Sequence, residues 1–256
     1  MTERTTMDLL EAIDVRRSRR KYEPVPLPES IVATLSALIT DLNSVDGIRL
    51  ELVTDNGAAF EGLHRSYGMF SGVRHYVGMI ADAQDHNSRE KLGYDAELVN
   101  LTAVALGLGT CIVGGSFDRQ ACPFSLSSDE SVAAVLTLGI VPAELSTREK
   151  VVRGVTHRRT KPLEQLTDTP KPWPDWFSAG LTAVQKAPSA LNRQPVTFSL
   201  NDGIASASVP EGDNLIFVDL GIAKRHFALG AGGGTWEWGN RAAFKRKTGE
   251  ILPATG

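Results

Sequence analysis

The 256-residue sequence predicts a mixed α+β protein made of two tandem, degenerate copies of one helix-and-strand unit. Two observations support this prediction. Helix-like and strand-like patterns alternate along the chain, and one glycine-rich segment occurs twice. Residues 107–114 (Gly-Leu-Gly-Thr-Cys-Ile-Val-Gly) line up with residues 232–239 (Gly-Gly-Gly-Thr-Trp-Glu-Trp-Gly), each directly after a helix of small residues, at an offset of 239 − 114 = 125.

A second pairing precedes the first. Leu35-Ser-Ala37, ahead of the strand pattern at 50–52, matches Leu181-Thr-Ala183, ahead of the pattern at 196–198, at an offset of 181 − 35 = 146. The offsets differ because the first copy has a longer middle. Chance similarity between glycine-rich segments is the alternative interpretation.

The predicted elements follow from hydrophobic periodicity. Helices are predicted over residues 7–15, 29–42, 91–108, 176–186 and about 219–231, and strands over 48–53, 76–80, 133–141, 196–200 and 204–209. Residues 56–72, which include His64, Arg65 and Tyr67, lack clear periodicity and predict a mobile loop or short helix, placed to cover a ligand. Residues 167–174 contain three prolines and predict a linker. The linker divides the sequence into a first copy over residues 1–166 and a second, shorter copy over residues 167–256. The two copies are expected to pack as one unit.

Composition excludes several classes of protein. A formal net charge of −3 and 42 % hydrophobic residues are ordinary for a globular protein and argue against a nucleic-acid partner. Cys111 and Cys122 are too few for a disulfide framework and lack zinc-site spacing, so reduced thiols and no metal are expected. The start lacks a signal-peptide pattern, and no run approaches the roughly 18 apolar residues of a membrane span. The expectation is therefore a cytoplasmic protein with no membrane partner.

A basic cluster follows the first predicted helix. Residues 16–21 (Arg-Arg-Ser-Arg-Arg-Lys) hold five cations in six positions. Planar guanidinium groups around a small hydroxyl suit a phosphate, although a charge run is more often a solvated turn. A second basic group, residues 153–161, includes Arg158, Arg159 and Lys161.

Two further segments suggest a ligand site. Gly114 and Gly115 allow close backbone approach, whereas Gly107 and Gly109 are more simply explained as a helix C-cap. Residues 187–195 (Ala-Pro-Ser-Ala-Leu-Asn-Arg-Gln-Pro) combine two restricting prolines with hydroxyl and amide groups, which suits a flat heteroaromatic ligand. An ordinary helix end and turn is the competing interpretation.

Together these segments resemble the FMN-dependent nitroreductase family, in its duplicated branch. The resemblance rests on residues 16–20, 106–115, 159–164 and 187–195, with a weaker likeness at 218–223. It implies an α-β-α sandwich. Family members are usually homodimers with FMN at the interface. In the family, the loop that matches residues 187–195 normally comes soon after the arginine-serine motif, whereas here it follows the segment that usually ends the domain. The resemblance therefore implies two fused subunits, an intramolecular pseudo-dimer with one composite site kept and its symmetry mate lost.

Carried over residue by residue, the resemblance implies roles in cofactor binding. The residues matched to the FMN phosphate and the pyrimidine edge of the flavin are Arg16, Arg17, Ser18 and Arg20. Gly114 and Gly115 match the backbone beside the flavin, and Arg159 and Lys161 match late phosphate contacts, with Arg158 as a substitute for either. The residues matched to the loop over the flavin edge and ribityl chain are Pro188, Ser189, Asn192 and Gln194. Val196 departs from the family's usual aromatic residue.

The implied activity is hydride transfer through FMN from NAD(P)H to a nitroaromatic, a quinone or a similar small-molecule acceptor. Because the cofactor does this chemistry, no catalytic side chain is expected. One alternative is a flavin-binding protein without turnover, serving as a sensor, store or scaffold. Another is a flavin enzyme of different chemistry, such as dehalogenation or flavin destruction. A monomer with one FMN is favoured, with a homodimer as the alternative.

Overall fold

The computed structural model describes residues 7–46, 48–61, 68–146, 149–150, 154 and 160–247. The longer helices of this part are α1 (Leu9–Val15), α2 (Glu29–Asp46), α3 (His86–Ala105), α4 (Asp175–Val184) and α5 (Leu215–Gly230). Its strands are β1 (Arg49–Val53), β2 (His75–Asp82), β3 (Gly109–Val113), β4 (Glu130–Gly139), β5 (Thr197–Asn201), β6 (Ile204–Ser208), β7 (Gly234–Trp236) and β8 (Ala243–Arg246). Short 3₁₀ helices lie at Ala58–Phe60, Arg119–Ala121, Leu163–Gln165 and Ala190–Asn192.

The strands form two four-stranded antiparallel sheets, one in each half of the chain. Their orders are β1-β2-β4-β3 and β5-β6-β8-β7. Apart from α1, each half runs helix, two strands, helix, two strands, and the two sheets have the same strand order. The predicted mixture of helix and sheet is confirmed.

Corresponding elements of the two halves recur at the offsets found in the sequence. Helices α2 and α4 begin at Glu29 and Asp175, which are 175 − 29 = 146 residues apart. Strands β3 and β7 begin at Gly109 and Gly234, which are 234 − 109 = 125 residues apart. The descent of both halves from one duplicated unit stays a prediction.

Each sheet buries one face against helices of its own half, and the core of the first sheet also contains Val218 and Ile222 of α5. Leu50, Met79 and Leu136 of the first sheet lie in a core with α2 and α3. The second core is more aromatic, and the rings of Phe198 and Phe227 stack with their centroids 4.8 Å apart. Burial of these apolar side chains is the main stabilising contribution to both halves.

Helices α3 and α5 pack against each other and join the halves. A Cβ atom added at Gly93 of α3 would lie 2.2 Å from the carbonyl oxygen of Val218, and one added at Gly221 of α5 would lie 1.9 Å from that of Glu90. The backbones therefore touch at two places where no side chain fits. Successive α5 residues also reach acidic groups of α3, in the pairs Lys224–Glu90, Arg225–Asp95 and His226–Glu97.

Two non-helical segments extend the sheets at their edges. Residues after α1 run beside β3, where Ser18 pairs with Thr110 in parallel orientation. In the second half Thr167 pairs with Phe198 of β5, and Leu166 is fully buried in the second core. The proposed boundary at 166 and 167 thus lies in a segment that packs on the second sheet.

The structure departs from the predicted elements at several places. Residues 109–113 form strand β3, where the sequence indicated only a glycine-rich turn, because pairing with β4 imposes an extended backbone. Strands β7 and β8 were not predicted, since β7 has only three residues and the four residues of β8 end in two cations, so both carry little pattern. Helices α3 and α5 begin earlier than expected, and Asp85 caps α3 by accepting from the Asn87 N–H.

The segment expected to be a loop or short helix is described in part. It contains the 3₁₀ helix Ala58–Phe60, and Phe60 and Phe70 pack at a ring distance of 5.4 Å on the other face of the first sheet. Residues 62–67, which include His64, Arg65 and Tyr67, lie outside the described residues. Among the described helices, none has both the length and the apolar character needed to cross a bilayer.

Candidate functional site

A cavity of about 1020 Å³ is lined by residues of both halves. The first half supplies the segment after α1, the end of β3 with the turn that follows, and Met69 and Phe70. The second half supplies residues 185–193 and the N-terminal part of α5. The lining includes these predicted site residues: Arg16, Arg17, Ser18, Arg20, Gly114, Gly115, Pro188, Ser189 and Asn192.

The arginine cluster divides between two environments. Arg16 and Arg20 line the cavity. Arg19 is buried away from it, where its guanidinium donates to Glu149 at 3.1 Å and to the carbonyl oxygen of Pro142 at 2.8 Å. Arg17 is exposed at the rim and donates to the carbonyl oxygens of Asp14 and Arg16. Only some of these cations are therefore available to a ligand, because Arg19 is paired inside the protein and Arg17 already donates to nearby carbonyl oxygens.

Arg16 has the most restricted environment of the cavity-lining arginines. Its Nε is buried without a hydrogen-bond partner among the described residues, and its Nη2 reaches the carbonyl oxygen of Lys186 only at 3.4 Å. Burial lowers the pKa of Arg16 from its usual value, while the carboxylate of Glu97 acts in the opposite direction. A guanidinium with an unsatisfied buried donor has hydrogen-bonding capacity for an anion.

Glu149 fixes the backbone beneath the cluster. Its carboxylate accepts from the N–H groups of Arg20 at 2.8 Å and Ser146 at 2.8 Å, and from the Arg19 side chain. Burial acts to raise the pKa of Glu149, but these hydrogen bonds outweigh it and hold the pKa at about 2. Glu149 was not among the predicted site residues. Its signal is the Ser-x-x-Glu capping pattern at 146–149, since Glu149 N–H also donates to the Ser146 hydroxyl.

Gly114 and Gly115, which follow β3, are glycine for different physical reasons. A Cβ added at Gly114 would lie 2.7 Å from Cδ1 of Leu215, so packing inside the protein accounts for that glycine. A Cβ added at Gly115 would meet no protein atom within 4 Å, and its φ lies outside the left-handed region. The lack of a side chain at Gly115 therefore leaves open space along the cavity wall. Neither the backbone conformation nor packing against protein atoms requires a glycine at this position.

The cavity loop, residues 188–194, is only partly in contact with the cavity. Gln194 is buried outside its lining and fastens the loop to the chain near residue 161. Its side-chain oxygen accepts from Lys161 N–H at 2.9 Å, its backbone oxygen accepts from Lys161 Nζ at 2.8 Å, and its amide donates to Gln185. Lys161 is likewise absent from the lining, and Arg159 lies outside the described residues.

Asp219 of α5 is a second cavity residue outside the set of predicted site residues. It is 7 % exposed, and its two oxygens accept from Ala190 N–H at 3.1 and 3.2 Å. Burial raises the pKa of Asp219 to about 7. The available signal was a single acid in the apolar run 215–223, a position where an unpaired carboxylate is costly.

Cys111 of β3 also lines the cavity, next to the hydroxyl of Ser18. Burial raises the pKa of the Cys111 thiol, although the cations of Arg20 and Arg16 act in the opposite direction. The thiol is therefore protonated at neutral pH. No group of acidic, histidine and cysteine side chains among the described residues could hold a metal ion.

Comparison with solved structures gives a match that extends over nearly the whole chain. It is a Thermotoga maritima protein described as a "putative nitroreductase", with a TM-score of 0.67, 19 % identity, and 95 % of each chain covered. An FMN-dependent nitroreductase from Clostridium difficile has a TM-score of 0.43 and 20 % identity over 52 % of this chain and 87 % of its own. A nitroreductase with bound FMN from Bacteroides fragilis has a TM-score of 0.42 and 15 % identity, over 56 % of this chain and 93 % of its own.

The first match shows that the two chains share a fold, and its coverage of 95 % of each chain means that the likeness extends over both halves. No curated protein matches the chain. The model of the family described as "Putative TM nitroreductase" matches residues 8–231, a range that contains α1, both cavity-forming segments and all of α5. The chain belongs to this nitroreductase family.

Proposed function

We propose that the chain binds one FMN in the cavity between its halves and uses it to reduce nitroaromatics, quinones or similar small acceptors with NAD(P)H. One observation carries the proposal: the basic segment of the first half and the cavity loop of the second, about 170 residues apart in sequence, line one cavity. Family membership supports a nitroreductase activity. The choice of donor and acceptor is part of the proposal.

The residues present fit a flavin nucleotide. Arg16 has an unsatisfied buried Nε, and Arg20 adds a second cation, which suits a phosphate. Gly115 leaves open space for close approach of a flat ring. The cavity volume lies at the upper end of the roughly 300–1,000 Å³ typical of ligand pockets, so a flat acceptor has room beside the cofactor.

In this proposal Arg16, Ser18 and Arg20 bind the phosphate, and the backbone at Gly115 lies along the flavin. Pro188, Ser189 and Asn192 cover its other edge. Gln194 and Lys161 do not contact the flavin and instead hold the loop in place. The chemistry that FMN supplies when bound is hydride transfer, which needs no protein nucleophile, and the protonated Cys111 thiol is consistent with that.

The absorption spectrum of the purified protein tests cofactor binding, because bound flavin gives a yellow chromophore. Steady-state oxidation of NADH and NADPH with a nitroaromatic or a quinone then tests turnover. A protein loaded with flavin that oxidises neither nicotinamide would contradict the activity and favour the non-catalytic flavin protein.

Replacing Arg17 and Arg20 together by alanine should lower FMN retention. Arg17→Ala alone should lower it less, since Arg17 donates to backbone carbonyl oxygens at the rim of the cavity.

The arrangement of the halves supports a monomer as the active unit. Both parts of the proposed site come from one chain, so a partner subunit is not needed to complete it. Sedimentation of the flavin-loaded protein should give a monomer with one FMN. An obligate dimer, or two flavins per chain, would refute the pseudo-dimer proposal.

A further inference from the structure

Arg193 of the cavity loop is a basic residue of the cavity lining that has no assigned partner. It is exposed, and within the described part of the chain its side chain makes neither a hydrogen bond nor an ion pair. The other basic residues of the lining have a proposed phosphate contact, an ion pair with Asp14, or hydrogen bonds to backbone carbonyl oxygens: Arg16 and Arg20, Lys186, and Arg17, respectively. One FMN phosphate therefore leaves the charge of Arg193 available to a second ligand.

The backbone of the cavity loop is strained on both sides of Arg193. Leu191, Asn192 and Gln194 have φ values of 52°, 50° and 48°, a conformation that is unfavourable for residues other than glycine and most of all for a bulky one. Gln194 is 6 % exposed and is fastened to Lys161, whereas Leu191 is 54 % exposed. The fold thus maintains an unfavourable backbone that presents a leucine and an arginine to solvent at the cavity.

Leu191 gains little burial in return for this conformation. More than half of the residue is exposed, so packing inside the protein does not explain why a leucine stands there. Strained residues cluster at ligand sites, where bound groups cover them. A guanidinium binds anionic oxygens, and an exposed leucine side chain can cover an apolar ring face. The two side chains together fit a ligand that joins an anionic group to a flat ring.

The place of these two residues in the loop relates them to the electron donor. In the proposed function Pro188, Ser189 and Asn192 cover the edge of the flavin. Leu191 and Arg193 lie on either side of Asn192, line the same cavity and are exposed. A nicotinamide ring placed over the flavin must extend the rest of its dinucleotide toward solvent, and that part is an ADP group, with an anionic pyrophosphate and a flat adenine. A neutral quinone or nitroaromatic has no such anionic group.

We propose that Arg193 and Leu191 bind the ADP group of the nicotinamide donor. The guanidinium binds the pyrophosphate, and the leucine side chain packs on the adenine ring. The choice of ligand rests on the proposed function. Both residues act in donor binding and not in hydride transfer, so the chain should discriminate between a dinucleotide donor and a dihydronicotinamide that lacks the ADP group.

Anaerobic reduction of the flavin-loaded protein separates donor binding from hydride transfer, because the dependence of the bleaching rate on donor concentration gives both a Kd and a limiting rate. Arg193→Gln should raise the Kd for NADH or NADPH at least about fivefold and leave the limiting rate within about twofold. Leu191→Asn should raise the Kd about threefold without lowering the unfolding temperature, because asparagine tolerates a positive φ. With N-benzyl dihydronicotinamide, which lacks the ADP group, both variants should behave like the unaltered protein.

Titration with ADP-ribose by calorimetry gives a second measurement that needs no electron transfer. Its affinity should fall at least about fivefold in Arg193→Gln, and added salt should weaken binding more in the unaltered protein than in this variant. FMN affinity should stay within about twofold. The controls are Arg241→Gln and Glu211→Gln, which change an exposed arginine and an exposed acid ahead of α5, both outside the cavity lining. Neither control should alter donor or ADP-ribose binding.

Unchanged donor Kd and ADP-ribose affinity in Arg193→Gln would overturn the proposal, and so would an equal loss with N-benzyl dihydronicotinamide. A loss confined to a sulfonated quinone would also overturn it, because the arginine would then bind the acceptor. A flavin-loaded protein that neither NADH nor NADPH reduces would contradict the proposed function. The ADP-ribose titration would still decide the binding site in that case, since a loss of affinity in Arg193→Gln supports it and an equal affinity overturns it.

Discussion

The Arg19 guanidinium donates to Glu149 at 3.1 Å inside the protein, with the two side chains 11 % and 2 % exposed. Its neighbours Arg16 and Arg20 line the cavity instead. One run of basic residues therefore has two roles. The buried ion pair fixes the backbone, and the flanking arginines are presented to a ligand.

Replacing Glu149 by Gln should lower the free energy of unfolding by about 3 kcal/mol at pH 7, because it leaves the buried Arg19 without its counter-charge. The pKa of Glu149 is about 2 in the folded protein, below its usual 4.5. Its stabilising contribution is therefore complete above pH 4.5 and is lost as the pH falls toward 2. Urea unfolding should show a large difference from the unaltered protein at pH 7 and a smaller one, less than half as large, at pH 3.

Glu164→Gln is the matched control, since Glu164 pairs with Lys171 at 2.6 Å on the surface, with both side chains more than half exposed. That exchange should leave the unfolding curve unchanged, because exposed ion pairs contribute little. Equal effects of the two substitutions would contradict the structural role of the Arg19–Glu149 pair.

Gly115→Leu should weaken FMN binding by at least about tenfold while the unfolding temperature stays unchanged. The new side chain meets no protein atom near its Cβ, and its backbone conformation is open to other residues, so the fold tolerates it. It would occupy cavity space beside the proposed flavin position. Gly114→Ala is the comparison, because its Cβ would press on Leu215 and should lower the unfolding temperature instead. Unchanged flavin affinity in Gly115→Leu would remove this wall from the site.

Much of the fold follows from local pattern, and the exceptions have a tertiary cause. The start of α2 at Glu29 and the strand from Arg49 agree with periodicity, because each has one apolar face on a core. A Cβ added at Gly109 of strand β3 would lie 2.2 Å from Cγ1 of Val141. Close packing against a segment 32 residues later is therefore the reason for the glycine. A single sequence carries no signal for such a contact.

The site was predictable where residue chemistry is distinctive. Arg16 and Ser189 stand in unusual local contexts, and both line the cavity. Gln194 has the same polar character but faces Lys161 instead, a difference set by positive φ values that the sequence does not reveal. Asp219 was missed because its importance comes from burial beneath a loop that lies 29 residues earlier.

Lys224 and Glu90 should behave as a coupled pair between the two halves. Both side chains are fully buried, and Lys224 Nζ also donates to the carbonyl oxygens of Glu237 and Gly239 at 3.2 and 3.1 Å. Glu90→Gln should lower the free energy of unfolding by about 3–5 kcal/mol, because it leaves a buried ammonium without a counter-charge. Glu90→Gln combined with Lys224→Met should lower it by clearly less than the sum of the single changes. Additive losses in urea unfolding would contradict the coupling.

Asp219→Asn should raise the free energy of unfolding at pH 8, by up to about 4 kcal/mol. The pKa of Asp219 is about 7 in the folded protein, above its usual 3.8, so the folded chain holds this proton more tightly than the unfolded chain does. The stabilising contribution of the protonated carboxyl is complete below pH 3.8 and is lost as the pH rises through 7, which leaves a cost at pH 8. Asparagine removes that cost and keeps an acceptor for Ala190. The gain should shrink at pH 5, and Glu211→Gln should show no such dependence. An Asn variant that is no more stable than the unaltered protein at pH 8 would show that the buried carboxylate is compensated in the folded state, and the titration of Asp219 would then lie well below neutrality.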